Sequence, residues 1–255
     1  MARRKHSKRR RRGVGFFYKL LSVLLICAAI ILALTLFFRV DAIVVTGQQR
    51  YSEEEIQEAS GVELGSNLYL LNKYDVVQRI ISQLPYIESI RVNRKLPDTL
   101  VIDVREGGRP FVLVQDGAGW LISSSGKIVE QIPESEAGNY GRISGCQLLA
   151  PSVGEPLALA TEYATQESSL LSLLKAITDA GLTEEVDGVR LDDLSYLKMD
   201  YMDRFTVRMD YGADYEWGLK ILVGILESGK IQSNMTGTLD LRVENDRVSL
   251  IQNVR

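Results

Sequence analysis

Past residue 40 the side chains able to do chemistry are carboxylates, serines, one cysteine and a set of basic residues. Histidine is missing, because the single histidine of the chain is His6. A His-based triad, an HExxH zinc site and a His₃ metal centre are therefore excluded from most of the chain. Glycan hydrolysis needs only two carboxylates about 5–9.5 Å apart, and Asp187, Asp192, Asp193, Asp200 and Asp203 supply candidates. Interleaved with Arg190, Lys198 and Arg204, they read as a solvated mixed-charge surface, and they lack the D-x-D-x-D-G order of a calcium loop. Ser123, Ser124 and Ser125 beside Lys127 have the residue types of a Ser–Lys dyad, yet near neighbours on a strand rarely converge. Gly117-Ala118-Gly119 lacks the third glycine of a dinucleotide loop, and Gly126-Lys127-Ile128 lacks the flanking residues of a phosphate-binding loop. These patterns predict no catalytic residue, no metal ligand and no cofactor.

The elements that must position any site begin with a charge split. The chain has 255 residues and a net charge of −3. Residues 1–40 hold ten Lys/Arg and no Asp/Glu, leaving twenty basic against 33 acidic residues beyond, a balance of −13. Leu20–Phe38 is apolar except for Ser22 and Thr35. As a helix, nineteen residues span about 28 Å, close to the hydrocarbon thickness of a bilayer. A polybasic stretch precedes this run, so the positive-inside rule puts the N-terminus in the cytoplasm and residues beyond about 40 outside. Arg9, Arg10, Arg11, Arg12 and Lys19 are the expected contacts with anionic headgroups. A polybasic arm beside a membrane helix needs no nucleic acid to explain it. A cleaved signal peptide would have a shorter apolar core. Cys27 and Cys146 read as packed thiols, and the outer body needs no disulfide.

Residues 40–106 carry the punctuation of an α+β unit. Val40, Ile43 and Val45 form a short β-type run closed by Gly47, and Ser52-Glu53-Glu54-Glu55 is a capping box opening a helix that Gly61 ends. A second helix follows Asn72 on the stripe Val77, Ile80, Ile81, Leu84 and stops at Pro85. Ile87, Ile90 and Val92 predict one strand, and Leu100, Ile102 and Val104 another, with Pro97-Asp98 between them. The predicted order is β-α-α-β-β. Arg91, Arg94, Lys95, Arg105 and Arg109 have two readings, a face for lipid headgroups or acidic wall polymer, and the favoured one, the solvated outer face of that strand pair.

Beyond Pro110 short β-type runs dominate: Phe111–Gln115, Gly119–Ser123, Lys127–Gln131, Leu194–Met199 and Phe205–Met209. Amphipathic helices centre on Leu170/Leu173/Leu174/Ile177 and on Leu219/Leu222/Val223/Leu226. Leu239, Leu241 and Val243 face Val248 and Leu250 in a predicted terminal hairpin turned by Glu244-Asn245-Asp246. Residues 135–190 show little pattern.

In sequence, Val40-x-x-Ile43-x-Val45-x-Gly47, Ser52-x-x-Glu55-Ile56, Gly65-x-Asn67-Leu68, Leu84-Pro85-x-Ile87 and Arg94-x-x-Pro97-x-Thr99-Leu100 resemble the POTRA domain of the FtsQ/DivIB cell-division family. Gly212, Lys220, Leu239-Asp240-Leu241-Arg242 and Arg247-Val248 resemble its β-domain more loosely. The resemblance implies an α+β chain with a basic cytoplasmic tail (1–19), a transmembrane helix (20–38), a POTRA domain (39–107), a mainly-β domain with helices (108–252) and a short tail (253–255). It implies a non-enzymatic, single-pass protein of the bacterial division septum. Its expected partners are the FtsL/FtsB-DivIC-type coiled-coil pair, the septal peptidoglycan synthase complex and the bilayer. Partner contact is expected at Arg242, Val243, Arg247, Val248 and Leu250, through an edge strand whose free backbone groups pair with the partner. The competing classes are a membrane-anchored wall hydrolase using the carboxylates above, and a POTRA-containing assembly factor, which would show repeated POTRA units or a long barrel pattern.

Overall fold

The computed structural model describes residues 12–228, 231–232, 235–242 and 249–252, with the backbone alone for 12–15, 36, 249, 250 and 252. Helix α1 (Arg12–Phe37) contains the one described segment long and apolar enough to cross a membrane, Phe16–Thr35. Its polar side chains are satisfied within the helix: Ser22 donates to the Lys19 carbonyl, and Thr35 to those of Ile31 and Leu32. That arrangement suits a medium without water, where an unpaired polar group is costly.

Strand β1 (Ala42–Thr46) is followed by helices α2 (Glu53–Ser60) and α3 (Lys73–Gln83), then by β2 (Ile87–Lys95) and β3 (Thr99–Glu106). The β-α-α-β-β order thus stands as read. Ser52 Oγ accepts from the Glu55 amide while Glu55 accepts from the Ser52 amide, completing the capping box, and Gly61 ends α2 in the left-handed region. Asn72 caps α3. The sheet order is β1-β3-β2, with β1 parallel and β2 antiparallel to the central β3. Ile56, Ala59, Val76 and Ile80 pack on Val45, Val92, Leu100, Ile102 and Val104. The α3 stripe centres on Val76 and Ile80, with Val77 and Leu84 only partly buried.

The remaining strands are β4 (Phe111–Gln115), β5 (Ala118–Ile122), β6 (Ile128–Pro133), β7 (Gly141–Ser144), β8 (Val186–Arg190), β9 (Tyr196–Tyr201), β10 (Phe205–Asp210), β11 (Gly237–Asp240) and β12 (Ser249–Gln252). Helices α4 (Ala164–Asp179) and α5 (Tyr215–Glu227) interrupt them. All nine strands join one sheet, ordered β12-β11-β10-β9-β8-β7-β4-β5-β6. Leu170, Leu173, Leu174 and Ile177 of α4 and Leu219 and Leu222 of α5 share a core with inward residues of strands β4, β5 and β7–β11. Strands β7 and β8, from the stretch with little sequence pattern, fill the middle of this sheet.

The two faces of the sheet differ along its length. Strands β9 and β10 alternate between buried and half-exposed residues, because one face meets the helices and the other meets water. In β4, Phe111, Val112 and Leu113 are all buried. There the second face is covered by the membrane-proximal domain: Tyr86 packs with Val112, Leu121, Val129 and Ile132. Polar contacts fix the same junction. Lys127 Nζ donates to the Ile81 carbonyl at 2.7 Å, and Ser124 Oγ to Glu88 at 2.5 Å.

Candidate partner-docking edge

Strand β12 ends the nine-stranded sheet and, among the described residues, pairs with β11 alone. Strand β11 runs parallel to β10 and antiparallel to β12, so the terminal segment is tied to the sheet by long-range as well as hairpin pairing. Leu250 is the register partner of Leu239, which is buried, whereas Ile251 opposes Thr238 and is 53% exposed. An edge with one unpaired row of amides and carbonyls and an exposed β-branched residue is suited to accepting a further strand.

Inward from this edge, Asp240, Arg208, Lys198 and Arg190 occupy matched positions on β11, β10, β9 and β8. Their charges are largely paired within the chain. Arg190 donates to Asp200 at 2.7 Å and Lys198 to Asp192 at 3.0 Å. Arg242 grips Asp240 through Nε at 2.8 Å and Nη2 at 2.5 Å, the bidentate geometry its planar fork favours. The Arg242 hydrogen bonds hold the Asp240 carboxyl below its ordinary range, and Asp240 in turn raises the Arg242 pKa. The ring of Tyr196 has Arg242 at 4.4 Å, Arg208 at 5.4 Å and Lys198 at 5.6 Å from its centroid, so three cations gather around one aromatic ring. Two donors of Arg242, expected from sequence to be offered to a partner, are thus already engaged internally.

A cleft of about 350 Å³ opens at the same end of the sheet, lined by Tyr211, Gly212, Asp214, Trp217, Leu241 and Arg242. Asp214 caps α5 by accepting from the Trp217 amide at 3.0 Å, which places the half-exposed indole at the cleft. Trp217, Tyr196 and Ile251 are the residues sequence reading missed. An exposed tryptophan in the first turn of an amphipathic helix was the available signal.

Arg9, Arg10, Arg11, Val243, Arg247 and Val248 lie outside the described residues. Arg12 opens α1, and Lys19 is exposed on it. Four of the five carboxylates are engaged in structural bonds: besides Asp192 and Asp200, Asp193 accepts from the Ser195 amide and Asp187 from the Asp203 amide. Desolvation raises the Asp187 pKa, whereas the Lys198 hydrogen bond lowers that of Asp192. Ser123 Oγ bonds Ser125 Oγ at 2.8 Å in a turn, while Lys127 Nζ reaches the first domain. Burial lowers the Lys127 pKa, but its amine is not directed at the serines.

Comparison with known proteins agrees with this architecture. Residues 38–106 match the family model described as POTRA domain, FtsQ-type. The chain is 25% identical to cell division protein DivIB of Clostridium botulinum (strain Hall) over 98% of this chain and 94% of the relative. It is 27% identical to cell division protein FtsQ of Corynebacterium glutamicum over 71% of each chain. With FtsQ of Novosphingobium aromaticivorans identity is 34%, over 46% of this chain and 36% of the relative. A POTRA-type first domain of FtsQ type directly after an apolar helix, and similarity that continues through the large sheet, make the chain similar along nearly its whole length to cell division proteins named DivIB and FtsQ.

Proposed function

We infer that this protein is a non-catalytic docking subunit of the division machinery, held at the septum by helix α1 with its two folded domains outside the cytoplasm. The occupant of the β12 edge is a strand from an FtsL/FtsB-DivIC-type pair. Main-chain bonds supply affinity, and Ile251 together with the Trp217 cleft supplies selectivity. Through that pair the protein helps control septal peptidoglycan synthesis. Anchoring in the membrane reduces the search to two dimensions and raises the effective concentration of each partner.

The observation that carries this reading is the position of β12 at the end of a nine-stranded sheet, paired on one side only among the described residues. The test is capture of the purified coiled-coil pair by the full-length protein and by Ile251→Pro. Proline removes an amide and cannot extend a ladder. Loss of capture with an unchanged circular dichroism spectrum is expected. Unchanged capture by the folded variant would sink the docking mode.

A further inference from the structure

The loop between α2 and α3 touches the membrane helix. Asn67 Nδ2 donates to the Thr35 carbonyl at 3.2 Å, the Leu68 amide to the Phe38 carbonyl at 2.9 Å, and the Val40 amide to the Ser66 carbonyl at 2.9 Å. The rings of Phe38 and Tyr69 meet edge-on at 4.9 Å. Between helix and loop lies an apolar groove of about 440 Å³, lined by Ile31, Leu34, Phe38, Tyr69 and Leu70. Ile31 is four residues inside the end of the Phe16–Thr35 segment, about 6 Å along a helix axis. A side chain that shares this groove with Ile31 lies beside the lipid-facing surface of α1.

Leu70 is 80% exposed and Leu64 68% exposed, an unusual investment for a loop tip in water. The backbone of the tip is prepared for lipid. Asn67 Oδ1 accepts from both the Tyr69 amide at 2.9 Å and the Leu70 amide at 3.1 Å. Arg94 donates to the Leu71 carbonyl at 2.7 Å, with its guanidinium 5.8 Å from the Tyr69 ring centroid. Asn67 also satisfies one of the terminal carbonyls that α1 would otherwise leave unpaired in the bilayer. Around this apolar tip, Tyr69, Arg39 and Arg94 are the residue types that favour the headgroup layer.

We propose that the Leu64–Leu70 loop is a second membrane contact, with Leu70 inserted among the acyl chains of the leaflet in which α1 ends, so that helix and first domain enter the bilayer as one rigid unit. The continuity of the groove with a membrane-spanning surface selects lipid as its occupant. The proposal rests on α1 spanning the bilayer, and the test separates the two claims.

Nitroxide labels are placed on the full-length protein, one chain per nanodisc of zwitterionic and anionic phospholipid, at three single-cysteine sites. These are native Cys27 in α1 (with Cys146→Ala), Leu70→Cys, and Leu194→Cys in the distal domain (both with Cys27→Ala and Cys146→Ala). Leu194 is 86% exposed and serves as the water reference. The expected result is a collision ratio for oxygen over a nickel chelate that is several-fold higher at residue 70 than at 194, approaching that at Cys27. A water-like residue 70 beside a lipid-like Cys27 overturns the loop insertion alone. A water-like Cys27 overturns the spanning reading and the insertion with it. Burial of residue 70 only when two copies share a disc overturns lipid as the occupant and assigns the groove to a second chain.

Discussion

The hydroxyl of Tyr86 donates to Glu130 Oε2 at 2.5 Å, joining the start of β2 in the first domain to β6 in the second. The same ring stacks beneath the Arg50 guanidinium at 3.8 Å, and the amides of Arg50 and Tyr51 are in turn held by Glu106. Tyr86 therefore ties the first domain to the sheet face formed by Val112, Leu121, Val129 and Ile132, and the two domains are expected to unfold together. Tyr86→Phe removes a charge-assisted bond worth about 1.5–3 kcal/mol, and Tyr86→Ala also empties a packed site for about 3–5 kcal/mol. Differential scanning calorimetry should show one transition splitting towards two in the alanine variant. Burial, reinforced by Glu130, raises the Tyr86 pKa. That contribution is present below the ordinary phenol value near 10 and fades as pH rises through the higher folded one.

Two glycines with the same backbone angle separate strain from collision. Gly47 and Gly65 both adopt φ +87°, but a Cβ at Gly47 would lie 2.1 Å from the Val104 carbonyl oxygen, whereas at Gly65 it meets nothing within 4 Å. Gly65→Ala should cost only the left-handed penalty of about 1–2 kcal/mol. Gly47→Ala must in addition displace β3 at the centre of its sheet, and should lower the denaturation midpoint by clearly more. Equal losses would mean that β1 and β3 separate without cost.

Much of the first domain was legible because its signals are local. The Ser52/Glu55 capping box, Gly61 and Pro85 each act within one turn of the chain, and the alternation in β3 reports a sheet with one buried face. Strands β7 and β8 gave no such signal. Gly141-Arg142-Ile143-Ser144 has a single large apolar residue, and its place is set by close approach to Phe111 and to the Val186 carbonyl. The pairing of the C-terminal strand with the strand at Leu239 was readable from the final hairpin pattern, whereas its place at the end of the sheet depends on long-range pairing of β11 with β10. The engagement of Arg242 by Asp240 was not, because it depends on how the chain bends after β11. Nor was the exposed tip at Leu70, since a lone leucine in a loop looks ordinary until its neighbour proves to be a membrane helix.

Cys146 offers a pH-dependent readout of the distal core. Burial pushes its thiol up to about 12, from an ordinary value of 9.0. At pH 8 the folded protein should therefore expose about a thousandfold less thiolate than the unfolded chain, and alkylation should be correspondingly slow. The raised value favours the folded state fully below pH ~9 and loses that contribution as pH climbs towards 12. Iodoacetamide labelling of the Cys27→Ala protein, with and without denaturant, measures this. Fast labelling of the native protein would show that the core around Cys146 opens.

The central claim is that a partner strand adds to the outer edge of β12, and amide hydrogen exchange reads that edge directly. Exchange of residues 249–252 is followed in the full-length protein with and without a saturating amount of the purified FtsL/FtsB-DivIC-type pair. Outward-facing amides of β12 should slow by at least an order of magnitude on binding, while the far edge at β6 stays unchanged. Binding of the pair with exchange at 249–252 unaltered would contradict the account.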